Sequence, residues 1–94
     1  MELGRVVGQV VSTIRDPHVP HVTLLLVDLI EADGTVKRGG DVAADTLGAG
    51  EGEMVLLVRG SSASLAMDKR PPLDLTVIGI IDQITASGEV LYNK

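Results

Sequence analysis

Residues 22–30 read VTLLLVDLI, a run in which seven of nine positions are aliphatic. A strand with one wet face alternates apolar and polar residues, whereas Leu24–Val27 is apolar at four positions in a row. The chain is also rich in valine and isoleucine, which favour strands over helices. Residues 22–30 therefore predict a β-strand that is covered on both faces. Four other segments share this two-faced apolar character: Val6–Val7, Val10–Val11, Val55–Val58 and Val77–Ile81.

Extending the strand pattern outward predicts one all-β domain over residues 1–94, a small barrel or sandwich. An Asp33-Gly34 turn and glycine-rich segments separate the strands. One short helix is expected at Ala63–Met67, after a possible serine cap and before Pro71-Pro72. The predicted strands are Leu3–Ile14, Val22–Ile30, Val36–Leu47, Met54–Val58 and Leu75–Ile84, followed by a short hairpin through Ser87-Gly88 to Val90–Tyr92.

The two-faced apolar strands carry the first functional prediction. One short helix is too small to cover five strands, and a contiguous exposed apolar patch would promote aggregation. Copies of the same chain could supply the missing cover, since closed rings of identical subunits are common. The alternative is that a tightly curled barrel buries more of this surface by itself. We predict that the chain self-associates.

Composition argues against several other classes of protein. There is no cysteine, so thiolate metal sites and thiol nucleophiles are absent. The net charge of −5 and the single aromatic residue, Tyr92, oppose nucleic-acid binding, which relies on cations and base stacking. The N-terminus lacks the pattern of a secretory signal, and residues 22–30 are too short to span a bilayer. We expect a soluble cytosolic protein that binds neither membrane nor nucleic acid.

Three motifs suggest chemistry, and each is better explained structurally. Gly48–Glu53 lacks the last glycine of a dinucleotide-binding loop and precedes a predicted strand rather than a helix. Ser61 and Ser62 lack the flanking glycines of a nucleophile elbow, so we expect a helix cap, and a small hydrolase is the weakest alternative. His18 and His21, with Asp16, would need further ligands to hold zinc. No catalytic residue, cofactor or metal is predicted.

Four segments together resemble a known family. They are Leu3–Val11, Gly48–Glu53 with the following Val55-Leu56, Gly60–Ala63 and Val77–Asp82. In this order and spacing they are similar to the bacterial microcompartment vertex proteins of the EutN/CcmL type, which include carboxysome shell components. The family often has arginine at the position of Ser64.

The resemblance implies a five-stranded oligonucleotide-binding-like barrel that forms a homopentamer. Such pentamers would occupy the fivefold vertices of a shell in the bacterial cytoplasm, beside hexameric and trimeric shell proteins, without enzymatic activity. It also suggests an axial pore lined by Gly60, Ser61 and Ser62. The alternative is a barrel module that binds single-stranded nucleic acid or another ligand. The residues expected in the subunit interface or the core are Val6, Val7, Leu25, Gly48, Gly50 and Val55.

Overall fold

Five strands of the chain close into a barrel in the order β1-β2-β3-β5-β4. A computed structural model describes residues 1–66 and 73–94. Two further strands form a separate two-stranded sheet, and a five-residue helix follows β4. The predicted all-β fold, a five-stranded barrel with one short helix, is confirmed. The elements are β1 (Glu2–Val10), β2 (Thr23–Ile30), β3 (Val36–Asp45), β4 (Met54–Arg59), α1 (Ser61–Leu65), β5 (Leu75–Ile80), β6 (Gln83–Ala86) and β7 (Glu89–Asn93).

Strand β1 is central to the closure, because it pairs antiparallel with β2 on one side and with β4 on the other. A β-bulge between Val6 and Gly8 shifts the register with β2, and such bulges bend a strand. The barrel is completed by a parallel pairing between β3 and β5, at Ala44 and Thr76. This junction is limited to a single residue pair.

The barrel interior is filled by aliphatic side chains that alternate with outward-facing ones. Each such side chain stabilises the fold by about 1.5–3 kcal/mol through burial. Gly4 is required inside, because a Cβ atom there would lie 2.6 Å from Cδ1 of Leu57. The members of the core are Val6, Leu25, Val27, Leu29, Ala43, Val55, Leu57, Leu75 and Val77.

Three strands end two or more residues earlier than predicted, each because a local interaction stops the strand. β1 ends at Val10, since Arg15 holds the following loop by donating to the carbonyl oxygens of Ser12 (2.7 Å), Pro20 (2.7 Å) and Val22 (2.9 Å). β3 ends at Asp45, whose carboxylate binds the backbone beyond it.

The predicted strand Leu75–Ile84 is two strands, broken after Ile80. The Ile81 N–H donates to the carbonyl oxygen of Met54 at 2.9 Å, which ends the run along the barrel. The helix begins at Ser61, earlier than predicted, and Met67 of the predicted helix lies outside the described residues.

Strands β6 and β7 form a C-terminal hairpin that packs against one side of the barrel through Ile84 and Tyr92. Ile84 and Tyr92 of the hairpin pack around Ile30, Met54 and Ile81, and two outward-facing barrel residues, Leu3 and Leu56, join the same cluster. Lys94, after β7, forms an ion pair with Glu53. The chain itself therefore covers part of the outer apolar surface for which the sequence predicted cover by further copies.

Candidate subunit interface

The outer side of β1, β2 and β3 carries apolar side chains that the hairpin does not reach. Val10 lies opposite Leu24, and Leu26 lies opposite both Gly8 and Val42. Opposite residues in a ladder face the same side, and the alternate residues, such as Leu25, face the core. Val42 remains 43% exposed, and Val7, at the bulge, remains 37% exposed. We call the outward surface of Val10, Leu24, Leu26 and Val42 the open face.

Gly8 contributes to the open face by having no side chain. A Cβ atom at Gly8 would meet Cβ of Leu26 at 3.8 Å, an ordinary contact distance. Glycine at this position therefore leaves Leu26 accessible from outside. An apolar surface of this kind on a small domain is typical of a protein-protein contact.

The loop from residue 46 to 53 crosses one end of the barrel and is held by two carboxylates. Asp45, only 4% exposed, accepts N–H bonds from Leu47 (3.0 Å), Gly48 (3.2 Å) and Ala49 (2.8 Å). Glu53 accepts the N–H of Gly50 at 2.6 Å. The Lys94 ammonium, and then this N–H group, hold the pKa of Glu53 below its usual value. The loop is thus fixed in shape before any partner binds.

This loop leaves an apolar side chain in solvent and needs glycine at one position. Leu47 is 51% exposed. Gly48 has a φ of +88°, a conformation that other L-residues rarely adopt, and a Cβ atom there would have no neighbour within 4 Å. Strand β4, rather than a helix, follows the loop. This order of elements agrees with a structural loop and not with a dinucleotide-binding one.

At the opposite end of the barrel, charged side chains from three strands meet. Arg59 donates to Glu2 at 2.9 Å and lies 3.6 Å from Asp41, whose other oxygen is 3.0 Å from Arg38. Hydrogen bonding to Glu2 raises the pKa of Arg59. Sequence reasoning missed this cluster, because Glu2 and Arg59 are 57 positions apart and no local pattern links them.

The loop between β1 and β2 contains the two histidines considered as metal ligands. Asp16 accepts from the backbone N–H of His18 at 2.9 Å and lies 3.0 Å from its Nδ1 atom, and these bonds lower the pKa of Asp16. His18 and His21 are both exposed. Within residues 1–66 and 73–94, no three histidine, aspartate or glutamate side chains are grouped as a metal site would require.

The residues predicted for the interface or the core fall into two sets. Val6, Leu25 and Val55 lie in the barrel core, while Val7, Gly48 and Gly50 are exposed in the single chain. The residues predicted for the pore precede or begin α1. Gly60 has a φ of +72°, Ser61 is exposed, and the side chain of Ser62 lies outside the described part of the structure.

Hydrophobic helices of membrane-spanning length are not found in the described parts of the chain. The one helix there, α1, has five residues.

Comparison with known proteins gives concordant matches over the whole chain. The family model described as ethanolamine utilisation protein EutN/carboxysome matches residues 1–82. The bacterial microcompartment shell vertex protein EutN of Salmonella typhimurium strain LT2 is 46% identical, and the match covers 100% of this chain and 96% of that protein.

Two solved structures extend the comparison. A structure of ethanolamine utilization protein EutN superposes with a TM-score of 0.93 at 44% identity, covering 100% of this chain and 99% of that one. The GrpN pentameric microcompartment shell protein from Rhodospirillum rubrum gives a TM-score of 0.81 at 35% identity, covering 92% of this chain and 100% of that one.

A closed barrel with one open apolar face is typical of a subunit that assembles with other copies, and the open face is the candidate interface. The chain belongs to the EutN/CcmL family of bacterial microcompartment shell vertex proteins.

Proposed function

We propose that this chain is a structural, non-enzymatic shell protein that forms the pentameric vertex of a bacterial microcompartment. The observation that carries this proposal is the open face, an apolar surface that the chain's own hairpin leaves uncovered. Burying this face against a neighbouring copy removes it from water, and repetition of the same contact closes a ring. Relatives named as shell vertex proteins, one of them pentameric, support this role over the alternative of a nucleic-acid-binding module.

The role of a fivefold piece is geometric. A flat hexagonal layer cannot close into a shell, and pentamers at its corners supply the necessary defects. We propose that residues 1–94 act as one vertex domain and that the ring contacts hexameric and trimeric shell proteins in the bacterial cytoplasm. This role requires no cofactor, because assembly alone performs it.

We further propose that Gly60, Ser61 and Ser62 lie near the fivefold axis and line a narrow pore. Gly60 and Ser61 are exposed in the single chain, so they are available at such a position. The chain has no native cysteine, so a Ser61→Cys variant would carry one thiol per subunit. Oxidation is expected to link subunits in pairs within a ring, whereas a matched Thr85→Cys variant on the hairpin should stay monomeric on denaturing gels. Equal linkage of the two variants would contradict the pore assignment.

Native mass spectrometry of the purified 94-residue chain tests the main proposal. We expect a single dominant mass of five copies that persists on dilution to micromolar concentration. A stable monomer at that concentration, with a folded β-rich circular dichroism spectrum, would contradict the vertex assignment.

A further inference from the structure

The loop after Asp45 surrounds the carboxylate of this residue with N–H groups, as a protein loop surrounds a bound anion. Its two carboxylate oxygens accept three consecutive N–H groups, those of Leu47, Gly48 and Ala49, at 2.8 to 3.2 Å. Hydrogen bonds from N–H groups to a charged carboxylate are roughly twice as strong as neutral ones. The carboxylate is almost completely buried, so these bonds compete little with water. The conformation of the first part of the loop, residues 47–49, therefore depends on one side chain.

Each bond has a visible consequence for the exposed part of the loop. The N–H of Leu47 is bound to Asp45 Oδ1, which fixes the backbone from which the Leu47 side chain projects into solvent. The positive φ of Gly48 turns the chain immediately afterwards. Ala49 then packs back against the barrel core. Leu47 is thus held outward between two fixed residues, the buried Asp45 and the partly buried Ala49.

Leu47 also lies close in sequence to the open face. It follows β3, the strand that contributes Val42 to that face. An exposed leucine on a pre-shaped loop loses little conformational entropy when it docks, which favours association. Within residues 1–66 and 73–94, about half of the Leu47 side chain remains uncovered, so a second molecule is needed to bury it.

We infer that Asp45 is the positioning residue for ring assembly, because it holds Leu47 in the orientation in which the next copy of the chain receives it. This inference rests on the proposed pentamer and adds which residue sets the contact. Glu53 supports the far end of the same loop through Gly50. The Asp45 side chain bonds to the loop backbone rather than to another strand, so changing it should affect association more than folding.

The first test is the Asp45→Asn variant. Asparagine preserves the shape of the side chain but replaces one accepting oxygen with a donating amino group, so one side of the N–H cradle is lost. We expect the concentration at which the ring dissociates, measured by mass photometry over a dilution series, to rise at least tenfold. The far-UV circular dichroism spectrum should stay unchanged. The matched control is Asp33→Asn, since Asp33 binds Thr35 in a turn at the other end of the barrel and should leave the ring intact.

A second variant tests the loop without touching the buried carboxylate. Gly48→Ala strains the turn, while its methyl group meets no atom within 4 Å in the single chain. We expect the same loss of ring affinity with the fold retained. Gly88→Ala is the matched control, because Gly88 has a similar φ of +78° and an equally open environment in the hairpin turn.

The third readout reports on Leu47 directly. A Leu47→Cys chain should react with a thiol reagent at least tenfold more slowly as a ring than as a monomer obtained by Leu26→Asp. Equal labelling rates would overturn the inference, as would unchanged ring dissociation in both Asp45→Asn and Gly48→Ala. Loss of the ring only in proportion to loss of the fold would overturn it too. A wild-type chain that remains monomeric would instead refute the proposed pentamer, and this inference with it.

Discussion

The barrel has two apolar outer sides, and the chain treats them differently. On the side of β1 and β4, Leu3 and Leu56 pack in one cluster with Ile84 and Tyr92 of the C-terminal hairpin. On the side of β1, β2 and β3, the open face contains residues of the same chemical type, yet none of the described residues forms a second layer over it. The strands themselves do not differ in kind. The difference is whether the chain supplies its own cover.

This contrast shows how to interpret strands that are apolar on both faces. Such a strand indicates that its outer face is buried, but the burying element can be a later segment of the same chain or a second copy. On this barrel the hairpin covers part of one side, and a second copy is the proposed cover of the open face. The position of the hairpin leaves the open face exposed for assembly.

The strongest test compares two neighbouring residues on opposite faces of β2. Leu25 is 3% exposed and lies in the core, whereas Leu26 belongs to the open face. Leu25→Asp places an unpaired charge inside the barrel and should cost about 4 kcal/mol or more, enough to prevent folding of a small domain. Leu26→Asp should fold and fail to form the ring. Circular dichroism and native mass spectrometry distinguish the two results.

If Leu25→Asp assembled normally, the assignment of the inward and outward faces would be wrong. A Leu26→Asp chain that still formed pentamers would show that the open face is not the interface. The control is Thr85→Asp, at an exposed position of the hairpin.

The packing of the hairpin against the barrel can be weakened by removing the side chain of Tyr92. Tyr92→Ala should lower the free energy of unfolding by about 2 kcal/mol, because a half-buried ring is lost from the cluster around Met54. Urea denaturation in the monomeric Leu26→Asp background measures the effect without ring dissociation. Val90→Ala, at an exposed position of the same hairpin, should change stability by less than about 0.5 kcal/mol. Equal effects of the two substitutions would mean that the hairpin does not cover the barrel.

Gly4 and Gly8, both in β1, allow the inner face of the barrel to be compared with the open face. A methyl group at Gly4 meets Leu57 inside the barrel, so Gly4→Ala should cost about 1–2 kcal/mol through overpacking. A methyl group at Gly8 has room beside Leu26, so Gly8→Ala should leave the stability of the monomer within about 0.5 kcal/mol of its original value. Chemical denaturation of both variants in a Val42→Asp background, which disrupts the open face but keeps Leu26, checks the order. A larger loss from Gly8→Ala would reverse the assigned directions.

The smallest expected effect is a pH dependence of the hairpin attachment. Lys94 and the Gly50 N–H lower the pKa of Glu53 from its ordinary value of 4.5 in the folded chain. A lowered pKa means that the ion pair stabilises the folded form above about pH 4.5, and that this contribution is lost as the pH falls through the folded value. Tyr92 fluorescence, the chain's single aromatic signal, should report a loosened hairpin under these conditions. In Lys94→Met the hairpin should already be looser at pH 7 and respond less to acid.

Much of the barrel could be predicted from local patterns, because β-branched residues, turn glycines and two-faced apolar runs act over a few neighbouring positions. Strand β2 illustrates this, with its predicted and observed bounds differing by one residue. The features that were missed depend on side chains that bind distant or unexpected partners. Arg15 ends β1 by donating to three carbonyl oxygens, and Arg59 of β4 binds Glu2 on the neighbouring strand β1. No periodicity in a sequence encodes either contact.

The division between cover and interface was predictable only in part. The excess of apolar surface was apparent from the strands, and family resemblance indicated the ring. The hairpin turn at Ser87-Gly88 was predicted, but the start of its first strand appeared in the sequence as a continuation of β5, because Ile81 and Ile84 extend the apolar run. Its fold back onto the barrel depends on Ile81 binding Met54 and on Lys94 binding Glu53, both of which require the completed barrel.

The position of β2 in the barrel has a mechanical consequence. β2 pairs with β1 on one side and with β3 on the other, so a copy that docks on the open face meets side chains rather than unpaired backbone groups. No ladder register then fixes the tilt of one copy against the next. That tilt depends on the volumes of a few aliphatic side chains, and changing the size of the side chain at position 42 should alter the angle between neighbouring copies.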